Sequence, residues 1–264
     1  MPRFSANISI LFCELPFIQR FAAAKEAGFA AVECWFPYEH GLEEIAGLLR
    51  DLKLEMVGIN TAHGGALDWG LAALPGRERD FLESLDQALD CAVRFGSCAV
   101  HVMGGLAGAI PRTEAWRTYV ANLELAVRRA EGSGVQLLIE PLNSRDRPGY
   151  ILHSADQASE LIDHTGLGAL KIMFDCYHVQ VEEGDLVTRL RRHWEKIGHI
   201  QIASSPDRTE PGTGEIDFAF VFDEVDRLGW KGWIGAEYRP SLSTGERFHW
   251  MNSASASAAR RSLT

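Results

Sequence analysis

The chain has 264 residues, 46% of them hydrophobic, and a formal net charge of -10. That is enough for one sizeable core and close to the size of a (β/α)₈ barrel, about 250 residues. The acidic balance argues against a general nucleic-acid surface or an anionic membrane surface, and no apolar run reaches the ~20 residues that span a bilayer.

Strand and helix signals alternate along the chain. Phe4 to Leu11 reads as strand one and Pro16 to Ala27 as a helix, with Pro16 near its start and Gly28 at its end. Ala30 to Trp35 is strand two, Leu42 to Leu52 helix two, and Leu54 to Asn60 strand three. A Gly-containing loop, His63 to Pro75, leads into the long helix Arg77 to Phe95. Strand four (Ser97 to Val102), helix four (Glu114 to Glu131), strand five (Val135 to Glu140) and helix five (Ser154 to Asp163) follow. Strand six is Leu170 to Asp175, helix six Leu186 to Lys196 and strand seven His199 to Ala203. Helix seven, Phe218 to Leu228, has Asp217 as its N-cap, and strand eight is Trp230 to Glu237. Such alternation implies βαβ units and a parallel sheet. Eight strands, with no dinucleotide fingerprint after the first, favour an α/β (β/α)₈ TIM barrel. The expected organisation is one barrel domain over 1–252 and a frayed tail over 253–264.

The five cysteines are odd in number and form no C-x-x-C pair, which fits reduced thiols. The N-terminus lacks a signal-peptide apolar region, so the expected location is cytoplasmic.

Four apolar runs end in an oxygen-bearing side chain: Glu140, Asp175, Gln201 and Glu237, from strands five to eight. Unpaired buried carboxylates are costly, and in a barrel the strands' C-terminal ends form the active site. Three carboxyls and an amide converging there point to a shared divalent cation. An all-oxygen set suits Mg²⁺ or Mn²⁺ better than Zn²⁺. Such an ion chelates a carbonyl and its neighbouring hydroxyl and stabilises an enediolate, while Glu140 and Glu237 exchange the proton as base and acid. His178, expected on the loop after Asp175, and Arg208, on the loop after strand seven, are candidate substrate contacts. Glu33 and His63, at other strand ends, are further candidates for lining the pocket, and Trp35-Phe36-Pro37-Tyr38 for its apolar wall. Pro211-Gly212-Thr213-Gly214-Glu215 lacks a full phosphate-loop pattern and reads as a tight turn.

The chain resembles the hydroxypyruvate isomerase and 2-oxo-tetronate isomerase family within the xylose-isomerase-like TIM barrels. The resemblance runs from Arg3 to Met251. It is carried most specifically by Phe36-Pro37-Tyr38, Pro75-Gly76-Arg77-Glu78, Ile139-Glu140-Pro141-Leu142-Asn143, Asp175-Cys176-Tyr177-His178, Ile197-Gly198-His199-Ile200-Gln201-Ile202-Ala203, Glu210-Pro211-Gly212-Thr213-Gly214-Glu215-Ile216 and Gly235-Ala236-Glu237-Tyr238. It implies that Glu140, Asp175, Gln201 and Glu237 hold the metal and that Glu140 and Glu237 are the catalytic pair. It further implies that Asp146, His178 and Arg208 match positions which hold substrate in related ketose epimerases. Those epimerases carry histidine where this chain has Gln201, so the glutamine argues for the hydroxypyruvate branch. One departure stands out: after strand three the family has a longer segment with an arginine near its end, whereas here Asp68-Trp69-Gly70 runs directly into Leu71-Ala72. That change bears on substrate choice rather than on the metal.

The resulting expectation is an isomerase interconverting hydroxypyruvate and 2-hydroxy-3-oxopropanoate, with 2-oxo-tetronate isomerisation or ketose 3-epimerisation as the alternative. The partner is a small hydroxy-oxo acid or sugar, and a homo-oligomer is compatible with the sequence. A metal-dependent nuclease on the same barrel has the net charge of -10 against it. A non-catalytic sugar-acid binder has the intact Glu140 and Glu237 against it.

Overall fold

The computed structural model describes residues 2–96, 98–241 and 246–251. The strands are β1 (Arg3–Asn7), β2 (Ala31–Glu33), β3 (Glu55–Met56), β4 (Gly58–Asn60), β5 (Ala99–His101), β6 (Leu137–Ile139), β7 (Leu170–Asp175), β8 (Ile197–Ile202) and β9 (Trp233–Ala236). The helices are α1 (Gln19–Glu26), α2 (Leu42–Leu52), α3 (Glu78–Arg94), α4 (Arg112–Ala130), α5 (Ala155–Thr165), α6 (Cys176–Glu182), α7 (Leu186–His193) and α8 (Phe218–Arg227).

Every strand pairing is parallel, in the order β3-β2-β1-β9-β8-β7-β6-β5-β4. The two ends of that order are halves of one expected strand. At Val57 the chain changes partner: its N–H donates to Val32 of β2 at 2.8 Å and its carbonyl accepts from Ala99 at 2.9 Å. The sheet thereby closes into the eight-position barrel that the alternation implies.

The apolar runs build this wall because both faces of a parallel strand are covered. Leu137, Leu138 and Ile139 of β6 and Ile172 and Phe174 of β7 are all buried. Outside β4 and β5 packs α3, with Phe81, Leu85, Ala88 and Ala92 buried at helical spacing. Asp217 caps α8 as expected, its carboxylate accepting from the Phe220 N–H at 3.1 Å.

Strand one ends at Asn7 rather than the expected Leu11, the chain turning over Ile8 to Leu11, and a second segment differs in kind. The segment after Asp175 is not a loop; α6 begins at Cys176 without a connecting residue. Asp175 caps it, Oδ1 accepting from the Tyr177 N–H at 2.8 Å. His178 therefore sits in a helical turn. The expected helix six ends earlier than Lys196, at His193, with a 3₁₀ turn over Trp194–Lys196. Gly214 belongs to a tight turn, as expected: a Cβ there would lie 2.0 Å from the Ser205 carbonyl oxygen. The expected tail at 253–264 lies outside the described residues. All five cysteines are free, and no helix among the described residues is long and apolar enough to cross a membrane.

Candidate active site

The strand ends meet in a cleft at the C-terminal mouth of the barrel. Trp35, Phe36, Asn60, Trp69, His101, Met103, Glu140, Leu142, Arg147, His178, Arg208 and Glu237 line its upper part. Asn7, Glu33, His199 and Gln201 join Glu140 and Glu237 in the layer beneath. A larger groove between α4 and α5, lined by Arg112, Trp116 and His164, lies on the outer helices. The carboxylate chemistry is in the mouth.

Strand pairing sets the neighbours. Asp175 of β7 lies opposite Gln201 of β8, and Gln201 opposite Gly235 of β9. His199 and Gln201, two apart on β8, point the same way into the barrel. Both donate to Glu33: His199 Nε2 to Oε2 at 2.8 Å and Gln201 Nε2 to Oε1 at 2.8 Å. Ser5 Oγ adds a bond at 3.2 Å and Asn7 Nδ2 a longer one at 3.4 Å. Gly235 makes room for this carboxylate, since a Cβ there would lie 2.5 Å from Glu33 Oε1. Burial works to raise the Glu33 pKa, but His199, Gln201 and Ser5 outweigh it and hold the carboxyl below its usual value.

Glu140 is the opposite case. Its Oε1 is buried with no hydrogen-bond partner, and Oε2 lies 3.4 Å from His101 Nδ1. Burial, reinforced by Glu237 and Asp175, pushes its pKa well above the ordinary carboxylate range. Glu237 stands between these extremes. Oε2 accepts from Asn7 Nδ2 and Gln201 Nε2, each at 2.7 Å, and from Trp35 Nε1 at 3.3 Å, while Oε1 pairs with Arg208 Nη2. Burial raises it to about 7, against the pull of Arg208. Asp175 is also raised by burial, opposed by Arg208 and the N–H groups of Tyr177 and His178.

Arg208 Nη2 reaches Glu237 and, at 3.4 Å, Asp175 Oδ2. Its backbone is left-handed, φ 56°, a conformation that costs a non-glycine residue on the order of 1–2 kcal/mol. That strain goes with a guanidinium turned into the cleft and stacked 5.1 Å from the Tyr177 ring centre.

His178 is buried, and its Nδ1 accepts from the Asn143 backbone N–H at 3.0 Å. Burial, then Arg208, drives its pKa well below the usual value. The neutral ring thus carries its proton on Nε2, which faces Asp175 Oδ2 at 3.7 Å. That makes His178 a hydrogen-bond donor to the site.

Glu140, Asp175 and His178 each bring one ligand-type atom within 4.8 Å of the others. Buried acceptors without donors, Glu140 Oε1 and Gln201 Oε1, lie in the same layer. Orphaned oxygens among raised carboxyls suit a hard cation, which would supply the missing positive charge.

Asp175 is buried behind the cleft wall, against His178 and Arg208, and two further expected residues lie off that wall. Asp146 is partly exposed and accepts from the Tyr177 hydroxyl at 2.7 Å, so it buttresses the Tyr177–Arg208 stack. His63 is exposed at the rim, edge-on to Phe36 at 4.9 Å. Conversely, Asn7, Trp35 and His101 were missed as polar contributors. Asn7 and His101 are the last residues of β1 and β5, so the strand-end argument reaches them if neutral side chains are weighed beside carboxylates. His101 is buried with neither ring nitrogen hydrogen-bonded, and burial lowers its pKa to about 3.

The family model for xylose isomerase-like TIM barrels matches residues 21–254. A 2-oxo-tetronate isomerase from Cupriavidus necator is 45% identical, covering 95% of this chain and 98% of its own. A hydroxypyruvate isomerase from Escherichia coli is 39% identical, covering 96% and 99%. Among solved structures, a Brucella melitensis protein described as an AP endonuclease of family 2 superposes with a TM-score of 0.91 at 36% identity, covering 96% and 99%. A 3-keto-D-glucoside 4-epimerase from E. coli, 21% identical with a TM-score of 0.78 over 97% of this chain and 98% of that one, shares the fold.

Proposed function

From a chain that belongs to the xylose isomerase-like TIM barrel family, with relatives named isomerases over nearly its full length, we propose an isomerase of short hydroxy-oxo acids. The reaction is the interconversion of hydroxypyruvate and 2-hydroxy-3-oxopropanoate. The observation that carries it is the pair of buried glutamates, Glu140 and Glu237, both with raised proton affinity and both lining one cleft.

A carboxyl whose pKa is near the working pH both takes and gives a proton efficiently. With no ion bound, burial raises Glu237 to about 7, into that range. One glutamate removes a proton from C3 of hydroxypyruvate and the other returns a proton to C2, while the hydroxyl proton moves from one oxygen to the next. Atoms balance, since substrate and product are isomers. Glu140, Asp175, Gln201 and Glu237 would hold a Mg²⁺ or Mn²⁺ ion, which supplies the charge that stabilises an enediolate. His178 donates its Nε2 proton toward substrate oxygen, and Arg208 holds Asp175 and Glu237 in place. Trp35 and Phe36 form an apolar side of the cleft.

The 45% identity to the 2-oxo-tetronate isomerase favours the longer acid as a second reading. A nuclease reading has the net charge of -10 against it. Assays of purified protein with Mn²⁺, on hydroxypyruvate, 2-oxo-tetronates and free ketoses, test the proposal. Turnover of the acids, abolished by EDTA and restored by metal, is the expected result. Turnover of free ketoses alone would sink it.

A further inference from the structure

Two arginines line the upper cleft, and their charges are used differently. Arg208 is committed to Glu237 and Asp175. The Arg147 guanidinium carbon sits over the Trp69 ring, 3.6 Å from its centre, and Nη1 donates to the Asp146 carbonyl at 2.8 Å. It makes no ion pair with a carboxylate among the described residues. Asp146, its chain neighbour, accepts from Tyr177 instead.

The platform under Arg147 is fixed. Trp69 itself has a left-handed backbone, φ 51°. Gly70 bridges to Gly104, and a Cβ on Gly70 would lie 2.4 Å from the Met103 carbonyl oxygen. A guanidinium stacked on a rigid indole keeps its N–H edge in one plane, the geometry that grips a carboxylate bidentately. Burial, then the nearby Arg208 and Arg239 charges, disfavours its cationic form, an imbalance that an incoming anion relieves.

Resting on the isomerase reading above, we propose that Arg147, held on Trp69, is the specificity-determining residue that binds the substrate's carboxylate. Arg147 shares the cleft with Glu140 and Glu237, and the Arg208 charge is already taken up by Glu237 and Asp175, so Arg147 is the cation left to meet a substrate carboxylate at the mouth. The site thereby selects hydroxy-oxo acids over neutral ketoses of equal length.

The test compares wild type with Arg147→Met, which keeps the stem on Trp69, and Arg147→Lys. For hydroxypyruvate, Met should raise KM about 10- to 100-fold with kcat little changed, and Lys should recover part of the loss. Binding of D-glycerate, followed by tryptophan fluorescence, should weaken equally in Arg147→Met, while any weak binding of glycerol stays the same. If wild type binds glycerate through Arg147 but isomerises neither acid, the isomerase reading falls and the carboxylate site stands. Unchanged KM and glycerate affinity in Arg147→Met, or no glycerate binding by folded wild type, overturns the proposal about Arg147 while leaving any measured isomerase activity intact.

Discussion

Glu33 and Glu140 are both buried glutamates at barrel strand ends, and they treat a proton in opposite ways. Glu33 collects donors from Ser5, Asn7, His199 and Gln201 and is held ionised below its usual pKa. Glu140 has one oxygen without a donor and faces two further carboxyls, so it clings to its proton. Burial is nearly the same for both; what differs is the supply of N–H and O–H groups. A buried carboxylate supplied with donors stays ionised, and one left without them holds its proton.

Substitution sharpens that contrast most at the pair proposed to move the proton, Glu140 and Glu237. Glu140→Gln and Glu237→Gln should each lower kcat by about 10³-fold while the protein stays folded; full turnover in steady-state assays would end the two-glutamate mechanism. Glu33→Gln should instead cost roughly 3–4 kcal/mol of stability in urea unfolding, since His199 and Gln201 lose an anionic acceptor. Glu140→Gln should leave stability unchanged or raise it, and a loss as large as that of Glu33→Gln would erase the distinction.

pH separates them further. The folded pKa of Glu237 is raised to about 7, so the stability it contributes is fully present below its unfolded value near 4.5 and is lost as pH rises through 7. Metal-free Glu237→Gln should therefore gain on wild type, by on the order of 3 kcal/mol, between pH 4.5 and 8. Taking the difference cancels the buried histidines, His101 and His178, whose lowered pKa values act oppositely. Glu33, lowered, does the reverse: its contribution is present above 4.5 and fades only in acid. The smallest effect is from the ion. Mg²⁺ or Mn²⁺ at 100 times its Kd should stabilise wild type by about 2.7 kcal/mol in thermal unfolding. Asp175→Asn should shrink that shift, and no shift in wild type with either ion would remove the metal from the site.

Much of the barrel was legible because its signals are local. Leu42–Leu52 and Leu170–Asp175 were read to the residue, one from helical spacing and one from an apolar run ending in a charge. The helix at Cys176–Glu182 was not, although Asp175 is a good N-cap residue. From sequence, the carboxylate goes to the ion alone, whereas one oxygen caps a helix and the other faces His178 and Arg208. Strand three was read whole, and only pairing revealed that it changes neighbours at Val57.

The amino-acid order by itself determined which polar side chains arrive at the barrel mouth, because strand period and apolar runs act over a few residues. Only the tertiary structure decided which of them would be charged, paired or left bare. Glu33 takes its donors from 26 to 168 positions away, and Glu140 has a bare oxygen in the same barrel. No local pattern encodes either outcome, since proton affinity in a buried site depends on neighbours that closure of the sheet brings together.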